Sequence, residues 1–284
     1  MTTSSLIPTG TNENSTNGIS KKRRRSRRRA NQSNRDLKPL DTNAFASGRS
    51  DDIDILLEDG EVRETNMVSN GNAWTRQNIP KNLIKYFNQR YSLFSKFDEG
   101  IQLDEESWYS VTPEDVARHI ANRTQCGTIV DAMCGVGGNS IQFAMLCQKV
   151  IAIDHDPIKI EMAKVNARVY GVADKIEFIV GDAFEVLPSL KADVVYTSPP
   201  WGGPAYLDAE TLDIEHLSVD MTKFYAMAKQ ITPHVAMYLP RNVNPESIAA
   251  LTAEKEIAIE LELVCLNGRP KAMMVYMGGL VMAE

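Results

Sequence analysis

Apolar residues are sparse and without period over residues 1 to about 70, then fall into repeating blocks from Trp74 onward. Pro80 can open a helix that runs through Asn82–Phe87 to Phe94, its apolar positions at helical spacing. Thr112-Pro113-Glu114-Asp115 offers a second start: an N-cap, a proline at the first helical position and acids in the first turn. From Thr128 short apolar runs alternate with amphipathic ones. Strands are predicted over Thr128–Met133, Val150–Asp154, Lys175–Val180, Ala192–Tyr196 and His234–Leu239. Helices are predicted over Asn139–Cys147, Pro157–Tyr170, Val219–Gln230 and Pro245–Ala253. Ile257–Leu266 and Lys271–Met277, joined through Asn267-Gly268, read as an antiparallel hairpin. This order predicts an α/β fold, a doubly wound and mostly parallel sheet whose last strand runs antiparallel. The expected organisation is a polar tail over 1–70, a helical extension over 71–111 that covers the active site, and the α/β domain over 112–284.

Charge divides the chain. Residues 1–50 hold eleven basic and three acidic side chains, +8, so the remaining twenty basic and thirty-four acidic residues sum to −14, and the overall −6 hides two regions of opposite sign. Too little apolar surface in the first 70 residues offsets the entropy of ordering them, which predicts disorder. Within that tail, eight of the nine residues Lys21–Arg29 are cationic, the pattern read by nuclear import receptors or set against phosphate backbones; a merely solvated linker is the plainer reading. The acidic stretch Asp51–Glu64 reads as solvated. Four cysteines form no CxxC pair and four histidines no ligand spacing, so no metal site is expected, and the cysteines read as reduced core residues of an intracellular protein. No apolar run reaches about 18 residues, which predicts a soluble chain without a membrane partner.

Candidate chemistry collects at predicted strand ends. Ser198-Pro-Pro-Trp-Gly-Gly-Pro-Ala-Tyr206 follows the apolar run Ala192–Tyr196, and a loop leaving the carboxyl end of a buried strand opens into the crevice where α/β sheets bind ligands. Pro199-Pro200 fixes the backbone and offers carbonyls aimed at an exocyclic amine, and Trp201 can stack on a flat base, more strongly if the base is cationic. The first strand ends in Asp131-Ala-Met-Cys-Gly135-Val-Gly137-Gly138, whose GxGG spacing lets backbone approach a nucleotide but departs from the GxGxxG of dinucleotide sites. Asp154 ends the second strand, where an acid holds ribose hydroxyls, and Asp182 follows the third, placed to accept from an adenine amino group. Each has a plainer reading: turn glycines, strand-end caps, a proline stop. Together, in this order, they suit S-adenosylmethionine and an amine acceptor.

The segments Lys85–Glu114, Val130–Ala144, Ile151–Ile160, Ala173–Asp182, Lys191–Tyr206 and Tyr238–Asn242 resemble the trimethylguanosine synthase family, cap-specific guanosine-N2 methyltransferases. The resemblance covers nearly everything from about residue 80 onward. Ser198 and Trp201 carry most of its specificity, because the broader amino-methyltransferase group has Asn or Asp, and Tyr or Phe, there. It implies a class I S-adenosylmethionine-dependent methyltransferase that converts 7-methylguanosine caps of small nuclear and nucleolar RNAs to the 2,2,7-trimethyl form. Trp201 would stack on the methylated guanine while Ser198 and the Pro199 carbonyl accept from the 2-amino group. Lys85, Tyr206 and Arg241 match positions that hold the cap phosphates. Asp131, Asp154 and Asp182 match the cofactor shell, with Gly135 and Gly137 in its loop and Phe94 and Thr112 brought over it. Met133, His155 and Ala205 depart from the family's usual residues; Ala205 stands where an acid is common, which puts cap-edge contacts there in question.

Two rival functions stay open on the sequence. An adenine 6-amino methyltransferase acting on DNA or rRNA is opposed by Ser198. A catalytically silent cap-binding or assembly protein is opposed by the intact set Asp131, Asp154 and Asp182. The expected location is the nucleus and nucleolus, with snRNP or snoRNP proteins and an import receptor as partners, the receptor engaging Lys21–Arg29.

Overall fold

In the computed structural model, residues 74–252, 257–266 and 268–282 are described; the basic run Lys21–Arg29, the acidic stretch Asp51–Glu64 and Ala253 lie outside them. Chain order runs α1 (Ile84–Phe87), α2 (Arg90–Leu93), α3 (Ser107–Ser110), α4 (Glu114–Arg123), β1 (Thr128–Asp131), α5 (Gly138–Leu146), β2 (Lys149–Asp154) and α6 (Pro157–Val169). It continues with β3 (Ile176–Val180), α7 (Ala183–Val186), β4 (Val194–Thr197), α8 (Met221–Ile231), β5 (Val235–Pro240), α9 (Pro245–Ala249), β6 (Ile259–Leu266) and β7 (Arg269–Met277).

The seven strands form one sheet in the order β3-β2-β1-β4-β5-β7-β6. β1, β2, β3, β4 and β5 pair in parallel, and β7 lies antiparallel to both β5 and β6, as the hairpin pattern predicts. At the end of that hairpin Leu266 faces Arg269 and Gly268 adopts φ +69°, while Asn267 of the predicted turn lies outside the described residues. The chain leaves β1 toward β2 and β3 on one side and returns to β4 and β5 on the other. The crevice at the carboxyl ends of β1 and β4 is therefore the topological switch point where such sheets bind ligands.

The central strands are apolar on both faces because both are covered: β5 is buried throughout, and so is β4. One apolar cluster holds Ile129, Phe143, Tyr196 and Tyr276 together with Leu83, Phe87, Phe97 and Trp108 of residues 74–111. A second, on the opposite face, is built from Val130, Val195, Phe224, Met237 and Val275. The segment before α4 is thus joined to the sheet by shared core, centred on Trp108, whose ring lies 5.4 Å from Phe97 and 5.8 Å from Phe87. A polar lock adds to it: Glu114 accepts from the Ser95 backbone N–H at 2.6 Å, from the Ser95 hydroxyl at 2.9 Å and from the Tyr170 phenol at 2.6 Å.

The long helix expected from Pro80 to Phe94 is instead two single turns, α1 and α2. Arg90 turns its guanidinium back onto the Phe87 carbonyl at 3.2 Å, taking the acceptor that a continuing helix would give to residue 91. Thr112 does not cap α4. Pro113 holds the N-cap position without a side-chain cap, and the Thr112 hydroxyl accepts instead from Asn139 Nδ2 at 3.0 Å. The cysteines are not four separate core residues: Cys126 and Cys147 meet with sulfurs 3.8 Å apart, and Cys265 is exposed. All four are free thiols. Among the described residues no helix is long and apolar enough to cross a membrane, and no group of three or more ligand-type side chains could hold a metal ion.

Candidate functional site

The crevice is built from the turns that follow β1, β2, β3 and β4. The first is closed by backbone hydrogen bonds, with the Cys134 N–H donating to the Ile153 carbonyl at 2.8 Å and the Gly137 N–H to the Cys134 carbonyl at 3.0 Å. Gly135 and Gly137 hold φ +53° and +87°, conformations that favour glycine. The three glycines serve different ends. A Cβ on Gly135 would meet nothing within 4 Å, so the space before it is open. One on Gly137 would press on Ala163 at 3.1 Å, and one on Gly138 would strike Val111 at 2.7 Å and come within 3.9 Å of Phe94. Gly138 is thus the place where the helical segment lies down on the turn, which brings Phe94, Val111 and Thr112 to the crevice. Asn139, the next residue, fixes Thr112 by the 3.0 Å hydrogen bond, and both are buried.

Asp154 ties the second strand end to this turn. It is nearly buried; Oδ2 accepts from the Gly135 N–H at 2.8 Å and Oδ1 from the Asp156 N–H at 3.0 Å. Each oxygen has a second lone pair left for an incoming hydroxyl. Asp131, fully buried at the end of β1, accepts from the Ser140 hydroxyl at 2.6 Å through Oδ2, while Oδ1 has no partner. Burial pushes its carboxyl up to about 7, against the Ser140 hydrogen bond and with the Asp154 charge adding to the rise. Asn139 Oδ1 is a second buried acceptor without a partner. Two unpaired acceptors beside an open glycine turn fit a ligand that brings its own donors, which the ammonium and ribose hydroxyls of S-adenosylmethionine supply. Asp182 stands at the mouth, exposed, with Oδ1 capping α7 through the Phe184 N–H at 2.8 Å; its other oxygen is available to an amino group.

Beyond β4 the loop opens as a graded surface: Ser198 is half-buried, Pro199 buried, Pro200 exposed and Trp201 half-buried. The Ser218 hydroxyl donates to the Pro200 carbonyl, pinning the second proline. Trp201 is held by Tyr238 of β5, with ring centroids 5.3 Å apart and planes tilted by 34°, and by an indole N–H to the Tyr238 carbonyl at 3.4 Å. Tyr206 meets the same indole edge-on at 5.3 Å. The chain from Gly203 to Asp208 is a 3-10 helix, anchored by Asn242 Nδ2 donating to the Tyr206 carbonyl at 3.0 Å and to the Ala209 carbonyl at 2.8 Å.

Of the two cations predicted to hold phosphate, Arg241 lies beside this loop and Lys85 stands over its neighbour Tyr86. Burial pushes the Tyr206 phenol up, the Arg241 charge opposes that rise, and Tyr86 adds to it, so all three lie within electrostatic range. Arg241 is exposed, with Nη1 on the Pro270 carbonyl at 3.2 Å. Lys85 is exposed, its Nζ 4.7 Å from the Tyr86 ring centroid. The predicted site residues thus divide into a cofactor-side group around Gly135 and a loop-side group around Trp201. The sequence reading missed the residues that hold them: Ser140 under Asp131, Asn139 under Thr112, Tyr238 beneath Trp201 and Asn242 behind Tyr206. Only the position of Asn139 and Ser140, directly after the glycines, could have marked two of them.

A profile of the RNA cap guanine-N2 methyltransferase family matches residues 126–280, more than half of the chain. A protein named trimethylguanosine synthase from Schizosaccharomyces pombe is 46% identical over 183 residues, covering 61% of this chain and 76% of that one. A protein of the same name from Saccharomyces cerevisiae is 38% identical over 183 residues, and the match spans 60% of this chain and 58% of the yeast protein. Among solved structures, a methyltransferase from Porphyromonas gingivalis superposes with a TM-score of 0.53 at 16% identity, over 71% of this chain and 48% of that one, a likeness of fold alone. The matched residues contain the glycine turn, Asp154, Asp182 and the Ser198–Tyr206 loop, and this chain belongs to the RNA cap guanine-N2 methyltransferase family.

Proposed function

We propose that this chain converts 7-methylguanosine caps to 2,2,7-trimethylguanosine by two successive methylations of the guanine 2-amino group. The observation that carries this is Trp201, half-buried at the end of the Ser198-Pro199-Pro200 loop and held between Tyr238, tilted by 34° at 5.3 Å, and Tyr206, edge-on at 5.3 Å. S-adenosylmethionine, when bound, supplies an electrophilic methyl group. The residues around Gly135 would hold it: Asp154 toward the ribose, Asp182 toward the adenine amino group, and Asp131 and Asn139 with their free acceptors, under Phe94 and Thr112.

Guanine methylated at position 7 carries positive charge, so stacking on Trp201 would gain about 2 kcal/mol of cation–π attraction once desolvated. An unmethylated cap lacks that term, which would make prior 7-methylation a requirement. Ser198 and the Pro199 carbonyl would accept from the 2-amino group and direct its lone pair toward the donor side. No strong base is required if the proton leaves after transfer; the rate would come from positioning and exclusion of water. Lys85, Tyr206 and Arg241 would hold the cap phosphates, Arg241 by its forked donors and Lys85 as a point charge.

The RNA bearing such a cap would be small nuclear or nucleolar RNA, met in the nucleus and nucleolus, and Lys21–Arg29 would engage an import receptor or RNP protein. Deleting residues 1–50 tests the latter: nuclear accumulation should fall while methylation of a small cap analogue persists. The primary test is mass spectrometry of a 7-methylguanosine cap dinucleotide incubated with protein and S-adenosylmethionine, beside the same dinucleotide lacking the 7-methyl group. Gains of one and two methyl groups on the first alone are expected; no gain with cofactor bound would overturn the reading and favour another amine substrate.

A further inference from the structure

The loop-side group continues past the predicted phosphate cradle to a second aromatic surface. Tyr86 of the helical segment and Tyr109 of α3 face each other with ring centroids 6.2 Å apart at 51°. Tyr86 lies within electrostatic range of Tyr206, whose ring meets Trp201 edge-on, so each of the four aromatics neighbours the next: Trp201, Tyr206, Tyr86 and Tyr109. Tyr109 is 40% exposed although its neighbour Trp108 is fully buried, so α3 anchors one aromatic in the core and presents the next to solvent. Tyr91, the other aromatic that is similarly exposed among the described residues, is already occupied: Arg90 covers its ring at 4.2 Å and Asp98 accepts from its hydroxyl at 2.6 Å.

The charges around the pair are sorted. Lys85 stands over the Tyr86 ring, with Nζ 4.7 Å from its centroid, and is not among the charges that act on Tyr109. On the Tyr109 side the neighbours are Glu106 and Asp104, with Lys159 neutralised by its 2.7 Å ion pair to Glu106. A phosphate would be favoured at the Lys85 end and repelled at the Tyr109 end. A neutral flat ring fits the Tyr109 end, where base stacking on aromatics is tolerant of sequence.

Resting on the cap-methyltransferase reading, we propose that Tyr109, backed by Tyr86, is the stacking platform for the first transcribed nucleobase of the capped RNA, beyond the phosphate bridge held by Lys85, Tyr206 and Arg241. The enzyme would then grip a cap at both ends, the methylated guanine on Trp201 and the next base on Tyr109, with the phosphates between them. The experiment is steady-state methylation of 7-methylguanosine triphosphate and of the cap dinucleotide m7GpppA by the full chain, read as the ratio of their KM values.

The wild type should favour the dinucleotide by about tenfold, within what one base–aromatic stack supplies. In Tyr109→Ala that ratio should fall to near one, and in Tyr109→Phe, which keeps the ring, it should be retained. A ratio near one in the wild type, a ratio unchanged in Tyr109→Ala, or a rise in the KM for S-adenosylmethionine in place of the lost ratio would overturn the proposal. If the wild type methylates neither substrate, the parent reading fails and this one with it.

Discussion

Ser140 donates a 2.6 Å hydrogen bond to Oδ2 of Asp131, and neither residue is exposed. The other carboxyl oxygen of Asp131 is unpaired, and burial pushes the group up to about 7. Unfolded, the same carboxyl titrates in the ordinary range near 4. Below that range Asp131 is protonated in both states, and its contribution to stability is fully present. As pH rises toward 7 the unfolded chain sheds the proton first, so that contribution is lost progressively and is gone above the folded value. Asp131→Asn has no proton to lose. Thermal unfolding of cofactor-free protein from pH 4 to 8 should therefore show the wild type losing stability relative to Asp131→Asn, by up to about 4 kcal/mol. Parallel curves for the two proteins would refute the buried protonated carboxyl.

Trp201 carries the proposed selectivity, so its replacement should separate the two ligands. Trp201→Ala should weaken binding of 7-methylguanosine triphosphate by about 30-fold, the equivalent of a desolvated cation–π contact. The same variant should bind S-adenosylhomocysteine within a few-fold of wild type, because the glycine turn lies at the ends of β1 and β2. Trp201→Phe should fall between. Isothermal titration of each variant with each ligand decides this, and equal loss of both ligands would instead point to collapse of the loop.

Asp154 should act on the cofactor side alone. Its two oxygens receive the Gly135 and Asp156 N–H groups, so removal both deletes a proposed ribose acceptor and releases the turn before Gly135. Charge-assisted hydrogen bonds of this kind contribute about 1.5–3 kcal/mol each, so Asp154→Ala should weaken S-adenosylhomocysteine binding by tenfold or more. Affinity for the 7-methylguanosine nucleotide should change less. Fluorescence quenching of Trp201 by the nucleotide measures the second, and a variant that keeps full cofactor affinity would remove Asp154 from the ribose.

The reach of the sequence follows the range of the interactions. The succession of strands along the chain and the residues at their ends were legible because β1, β2 and β4 are apolar runs closed by Asp131 and Asp154 or followed by Ser198, each local to its own strand; the order of the strands across the sheet was not. The antiparallel pairing of β6 with β7 was legible for the same reason. What escaped were contacts decided by residues far apart in the chain: Tyr238 beneath Trp201, Asn139 on Thr112, Glu114 gripping Ser95 and Tyr170, Cys126 against Cys147. Helical periodicity also failed where one side chain, Arg90, competed for a backbone carbonyl. Neither Tyr86 nor Tyr109 stood out in a list of motifs, since their significance comes from facing each other.

Trp108 tests how the helical segment is held on the sheet. It is fully buried against Phe87, Phe97 and Trp74, and its indole N–H has no partner. Two substitutions therefore part company. Trp108→Ala opens a large cavity in the shared core and should cost about 3–5 kcal/mol, typical of a buried aromatic deletion. Trp108→Phe also loses volume, but it removes an unsatisfied buried donor whose desolvation costs about 1–3 kcal/mol, so its net cost should be much smaller. Chemical denaturation gives the two energies. Limited proteolysis shows where they act: cleavage should appear first within residues 74–111 of Trp108→Ala, and binding of the nucleotide should fall with it because Lys85 and Tyr86 ride on the same segment. A Trp108→Phe protein as unstable as Trp108→Ala would mean the indole nitrogen is satisfied in solution, and that the packing around it is tighter than the ring distances imply.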